Sequence, residues 1–245
     1  MENRESHFEE IFQTRKNNEE HVSRGDVWIY DYTKRGGPYS YEITFREVIG
    51  QPWRDFLREQ KEKQGDTAAM DFMGGGTCFS GLGADKKLAV RLKDKFRDPK
   101  EKIDVIAGDV LSKKTWREIF SWAEKETDGR GFDLILSRPI GGLMRSITSE
   151  ADVYYFLIEH LWEVLNKDNG TLYTQLPIFG AGIPHEQNAI EKTVRAWVGM
   201  LERAEGLEIK FSENEKSYDF HGAYPVLRLR KTPGSPSQLP KLSAV

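Results

Sequence analysis

The stretch from Thr67 to Asp94 constrains the fold of this chain more than any other. It opens with the mostly apolar run Thr67-Ala68-Ala69-Met70-Asp71-Phe72-Met73, which carries one acid. Gly74, Gly75 and Gly76 follow without a break, and Gly81 and Gly83 come soon after. A second apolar run, Leu88 to Leu92, ends in Lys93-Asp94. An apolar strand that runs into a glycine cluster brings backbone N–H groups close to a nucleotide or nucleoside. Glycine permits positive φ and removes the Cβ atoms that would block the approach. An acid about 20 residues further on can accept from ribose hydroxyls, and Asp94 stands at that distance from Gly74. The same cluster also suits an ordinary turn between two buried strands. The stretch alone leaves both readings open.

A length of 245 residues implies one large domain, or one domain with a small appendage. Lys and Arg number 36 against 39 Asp and Glu, so no global basic field favours duplex nucleic acid. A local basic patch would still serve a structured RNA. The single cysteine, Cys78, excludes an internal disulfide framework and a cysteine-rich zinc site. No apolar run reaches the roughly 18 residues of a membrane span. The charged N-terminus lacks the apolar core of a signal peptide. The expectation is a soluble, cytoplasmic protein with no membrane partner.

The remaining chain alternates between two periodicities. Residues 1–66 read as an N-terminal extension: a short amphipathic helix around Phe8, Ile11 and Phe12, a β-hairpin, and a further helix. The hairpin is expected from the aromatic run Val27 to Tyr32, the turn Lys34 to Pro38, and a return strand from Tyr39 to Ile43. Its clustered tyrosines suit either a substrate-lining role or packing against the core. Pro52 opens the second helix, with Trp53, Phe56 and Leu57 on its buried face. Beyond the glycine stretch, strands are expected at Ile103 to Asp109, Phe132 to Ser137 and Thr171 to Leu176. Helices between them follow Ser112, Thr148 or Ser149, and His185. Leu207 to Ser212 and Tyr224 to Arg230 have no helical pattern between them, which predicts a closing antiparallel hairpin. Residues 232–245, rich in Pro and Ser, read as a disordered tail.

This alternation over residues 67–231 predicts an α/β fold, a doubly wound and mostly parallel sheet with a C-terminal antiparallel hairpin. Ligands of such sheets bind beyond the carboxyl ends of the strands, where the strand order reverses. Gly74 to Gly76, Asp94, Asp109, Ser137 to Gly142 and Leu176-Pro177 all fall at such ends.

On four of these features the chain resembles the class I S-adenosylmethionine-dependent methyltransferases. They are Met70 to Gly76, Asp94 after the second strand, Ala107-Gly108-Asp109 after the third, and Phe132 to Pro139 around the fourth. The resemblance covers roughly residues 67–230, and the closing hairpin shares in it. It implies methyl transfer from S-adenosyl-L-methionine to an acceptor it does not identify. The implied cofactor-binding residues are Asp71, Met73, Gly74, Gly75, Gly76, Asp94, Gly108, Asp109, Val110 and Ser137. Asp71 and the glycines would meet the methionine moiety, Asp94 the ribose and Asp109 the adenine amino group. Ser137, Arg138 and Pro139 would form the transfer site.

The chain also departs from the family. Met73 and Thr77 stand where the family's alternating motif has glycine, and little chain separates Gly76 from Leu88. A second parse makes Ala84 to Phe96 a helix and removes Asp94 from the ribose site. Arg138 suits an anionic substrate or a neighbouring carboxylate. No residue is an evident general base; His185 and His221 are loop candidates, while His160 and Cys78 read as packing residues. No metal-ligand spacing appears. Two alternatives stand beside transfer: a catalytically silent S-adenosylmethionine-binding module and an NAD(P)-binding oxidoreductase.

Overall fold

The computed structural model describes residues 38–91, 102–138, 151–176, 184–213 and 225–242. In chain order its elements are α1 (Pro38–Phe45), α2 (Trp53–Gln64), β1 (Ala68–Phe72), a single 3-10 turn (Thr77–Phe79) and β2 (Lys86–Arg91). Then come β3 (Asp104–Ala107), α3 (Lys113–Glu126), β4 (Leu134–Ser137), α4 (Ala151–Glu163), β5 (Thr171–Gln175), α5 (Pro184–Arg203), β6 (Glu208–Ser212) and β7 (Val226–Arg230). The seven strands form one sheet in the order β3-β2-β1-β4-β5-β7-β6. The first five are parallel to one another. β7 runs antiparallel to both β5 and β6, as the closing hairpin required.

Alternation along each strand divides the core into two layers. Met70 and Phe72 of β1, Ile135 of β4, and Leu227 and Leu229 of β7 face α3, α4 and α5. Their partners there include Trp116, Ile119, Leu161, Trp162, Trp197 and Leu201. Ala69, Leu134, Leu136, Tyr173 and Val226 point the other way, onto Tyr41, Phe45, Trp53, Phe56 and Leu57. Asp71 shares parity with Ala69, so its carboxylate enters this second layer. The link between β1 and β2, residues 73–85, holds only the 3-10 turn. No helix of that crossover covers the sheet there, and the N-terminal segment supplies α1 and α2 instead.

The N-terminal segment corrects the sequence reading. Tyr39 to Ile43 is not a return strand but part of α1. Its aromatic spacing serves helical packing as well, since Tyr41 and Phe45, four residues apart, share a buried face. The earlier helix and first hairpin strand lie outside the described residues. α2 is as expected, with Pro52 at its N-cap and Trp53, Phe56 and Leu57 buried. Gly65 ends it at φ 90, its N–H returning to Lys61 O. The start of β1 is fixed by Asp133, whose Oδ2 accepts from Ala68 N at 2.9 Å. Asp133 Oδ1 accepts from Gln64 Nε2 at 2.6 Å and from Asn166 Nδ2 at 2.8 Å. Burial nevertheless holds this carboxyl above the usual range.

The expected disordered tail is also corrected over residues 232–242. Pro and Ser make this segment unsuited to helix or strand, yet it is held by side chains of the helices it crosses. Trp162 Nε1 donates to Pro236 O at 3.0 Å, Trp197 Nε1 to Pro240 O at 2.7 Å and Tyr155 OH to Leu239 O at 3.2 Å. Leu239 is buried in the α3–α5 layer. Ending the chain after Lys231 removes these acceptors and the Leu239 contacts, offset by released chain entropy. The expected net loss is on the order of 2–3 kcal/mol, the chain entropy released offsetting part of the Leu239 burial and the three hydrogen bonds. A denaturant midpoint unchanged by the truncation would refute this account of the tail.

Candidate functional site

Strand order reverses at β1. The chain moves outward through β2 and β3 on one side, then returns to place β4 and β5 on the other. The carboxyl ends of β1 and β4 therefore border the switch point, where a ligand meets loops diverging to both sides. Phe72 is in register with both Val90 and Ser137, so β1 and β4 end level and β2 runs one residue further. Met73 N still donates to Val90 O at 2.8 Å, and Gly108 N to Arg91 O at 2.8 Å. Beyond these bonds the chain turns away from the sheet.

The turn after β1 uses positive φ at Met73, 66°, and at Gly76, 78°. Met73 stands where glycine was expected and adopts the left-handed conformation in its place. That conformation is costly for a long side chain and needs support from its surroundings. Asp71 supplies part of it: its Oδ2 accepts from Gly76 N at 2.7 Å, closing the loop from within. Gly74 has to be glycine for a different reason. A Cβ there would sit 2.1 Å from Asp71 Oδ1.

Asp71 is completely buried, and so are the groups around it. Tyr41 OH donates to Asp71 Oδ1 at 3.2 Å. The Arg138 guanidinium lies over the Tyr41 ring, 5.1 Å from its centroid. Burial pushes the Asp71 carboxyl up; Gly76 N–H, Cys78, Tyr41 and the Arg138 charge pull it back. Burial and the neighbouring Asp71 push the Tyr41 hydroxyl and the Cys78 thiol well above their usual ranges. A thiol held protonated makes a poor nucleophile, which agrees with the packing reading of Cys78. Arg138 is 2% exposed. Its charge acts on the nearby Asp71 carboxyl, which is compatible with the carboxylate reading.

The other expected residues divide clearly. Gly108, Asp109 and Val110 follow β3 directly, and Asp109 Oδ1 accepts from Leu111 N at 2.9 Å, shaping the turn into α3. A Cβ on Gly108 would meet Thr115 Oγ1 at 2.3 Å. Ser137 is buried at the end of β4. Lys86–Arg91 is a strand, which overturns the parse that made Ala84 to Phe96 a helix. Asp94, Pro139, Gly141, Gly142, Pro177 and His221 lie outside the described residues. His185 falls in the first turn of α5. His160 packs against Trp116, Phe120 and Phe156, as expected of a packing residue. Two residues were missed: Tyr41, hidden by the strand reading, and Arg91, a buried arginine at the end of β2. The signal for Tyr41 was indirect, since an acid inside an apolar strand needs donors from elsewhere in the fold.

A cleft of about 270 Å³ lies elsewhere, lined by Gln60, Thr171, Tyr173, Arg228 and Arg230 among others. Thr171 begins β5 and Arg230 ends the antiparallel β7, so this cleft opens at the opposite edge from the glycine loop. Among the described residues no helix is long and apolar enough to cross a membrane.

No family model matches the chain, and no curated protein does. Several solved structures are similar to it. The cofactor-bound Rv0187 from MTB is 12% identical with a TM-score of 0.44, covering 77% of this chain and 82% of that one. The O-methyltransferase TomG from Streptomyces achromogenes, in complex with SAM, is 10% identical with a TM-score of 0.44, covering 88% and 99%. The O-methyltransferase from Bacillus cereus, in complex with SAH, is 10% identical with a TM-score of 0.42, covering 86% and 100%. Likeness this loose carries no function across; the chain's own strand order and loop geometry bear the argument.

Gly74→Ala tests the loop geometry directly. The new methyl group must displace the Asp71 carboxylate or the loop itself, an overpacking expected to cost about 1–3 kcal/mol. Thermal unfolding of the variant measures that cost, and an unshifted midpoint would mean that the loop and Asp71 are not in close contact.

Proposed function

We propose that the chain binds S-adenosyl-L-methionine at the carboxyl ends of β1 to β4 and transfers its methyl group to an acceptor. The observation that carries this reading is the sheet itself. Its order β3-β2-β1-β4-β5-β7-β6, with β7 reversed, sets a glycine loop and a buried serine on either side of the switch point. A dehydrogenase-type sheet would continue in parallel where this one turns back, which disfavours the NAD(P) alternative.

The residues fit the cofactor by their chemistry. Backbone amides of a glycine loop suit a carboxylate, and carboxylates suit hydroxyl and amino donors. In this reading Met73 to Gly76 hold the methionine end, Asp94 the ribose, and Gly108, Asp109 and Val110 the adenine. The cofactor supplies a methyl group on a positively charged sulfur. Ser137 lines the transfer site in this reading. Displacement at a sulfonium depends chiefly on alignment, so positioning supplies much of the rate. A base is required only for an acceptor that starts protonated. The acceptor class stays open, with a structured RNA or a small molecule both compatible.

Calorimetry with S-adenosylmethionine, S-adenosylhomocysteine and NAD is the deciding experiment. The first two are expected to bind and NAD is not. Binding of NAD alone would overturn the reading, and binding of both sulfur ligands without transfer in any labelled-methyl screen would favour the silent module.

Asp109→Ala should weaken binding by roughly 10- to 100-fold, as loss of a charge-assisted hydrogen bond implies. An analogue lacking the adenine amino group should lose less. Equal losses for both ligands would remove Asp109 from the adenine.

A further inference from the structure

Tyr41 comes from a helix that precedes the whole sheet, yet its hydroxyl reaches the acid at the centre of the glycine loop. The carboxylate it meets has two tasks. One oxygen closes the loop through Gly76 N, and the other accepts from Tyr41. Three segments contribute groups to that carboxylate: Tyr41 from α1, Gly76 and Cys78 from the β1–β2 link, and Arg138 from the chain leaving β4. Tyr41 and Arg138 also touch each other, ring against guanidinium. Elements remote in sequence thus meet on one buried charge, directly beneath a turn that carries a strained Met73.

We infer that Tyr41 is a positioning residue for cofactor binding, holding the Asp71 carboxyl aligned so that the Met73–Gly76 loop keeps its shape. The inference rests on the cofactor reading above and adds a residue outside the family motif. Without the hydroxyl, Asp71 loses a donor that favours its charged form. Protonated Asp71 is a weaker acceptor for Gly76 N–H, and the loop loosens. α1 therefore reports its own docking to the site through a single hydrogen bond.

The test compares wild type with Tyr41→Phe, which keeps the ring over Arg138, and with Arg138→Met, which removes the charge. S-adenosylmethionine affinity is measured by calorimetry at neutral pH and on stepwise acidification. Amide exchange at Gly76 is followed by NMR without ligand. Tyr41→Phe is expected to bind about tenfold more weakly at neutral pH. Its affinity should fall at a higher pH than that of wild type on acidification, because both a lost donor and a lost cation raise the Asp71 carboxyl. Arg138→Met should shift in the same direction. Gly76 exchange should be faster in Tyr41→Phe even without ligand. Wild-type affinity and pH profile in Tyr41→Phe would overturn the inference. If wild type itself fails to bind the cofactor, the functional reading fails, and unchanged Gly76 exchange would then separately overturn the role of Tyr41 in holding the loop.

Discussion

A sheet needs both faces covered, and the β1–β2 link of this chain is too short to cover one of them. Residues 73–85 hold one 3-10 turn where a helix would otherwise return across the sheet. Ala69, Leu134, Leu136 and Tyr173 would face water if nothing else lay over them. Burying such side chains is worth about 1.5–3 kcal/mol each, a large share of a typical domain's net stability. α1 and α2 take up the task, packing Phe45 and Trp53 against Tyr173. α1 and α2 are therefore part of the core layer.

The same substitution brings a polar problem into that layer. Asp71 points into it by strand parity and is wholly enclosed. Enclosing a carboxylate costs roughly several kcal/mol even after relaxation, unless hydrogen bonds and opposite charge offset it. Here the offsets come from a loop amide, a tyrosine hydroxyl, a thiol and a guanidinium. They come from three segments, the β1–β2 link, α1 and the chain leaving β4, so the arrangement forms only when all three are in place. Buried polar clusters of this kind specify a structure more than they stabilise it. Asp133 does similar work at the other end of β1, tying α2, β1 and the end of α4 to one carboxylate.

The parallel sheet, its closing hairpin and most of the helix faces were legible in the sequence because period and punctuation speak for them locally. Trp116 and Ile119 repeat at helical spacing, and Gly206 stops α5 at φ 73. The glycine loop was legible as a feature, but its mechanics were not. Nothing local says that Met73 accepts a left-handed backbone, or that Gly74 makes room for Asp71 and not only for a ligand. α1 was misread because Tyr39 to Ile43 is rich in residues that strands favour, and tertiary packing overrode that propensity. The tail was misread because Pro and Ser describe what a segment cannot form by itself. They are silent on whether Trp162 and Trp197 need acceptors for their indole N–H groups, which is what orders residues 232–242.

Arg138 shows how far burial can redirect a functional reading. An arginine at the end of a central strand, beside a presumed transfer site, invites an anionic substrate. With its guanidinium enclosed over Tyr41 and near Asp71, using it for substrate would uncover the Asp71 charge and release the loop that Asp71 closes. The enclosed geometry favours the interior role over a substrate one. Ser137, one residue earlier and of opposite strand parity to Leu136, belongs to the other layer and is free of this conflict.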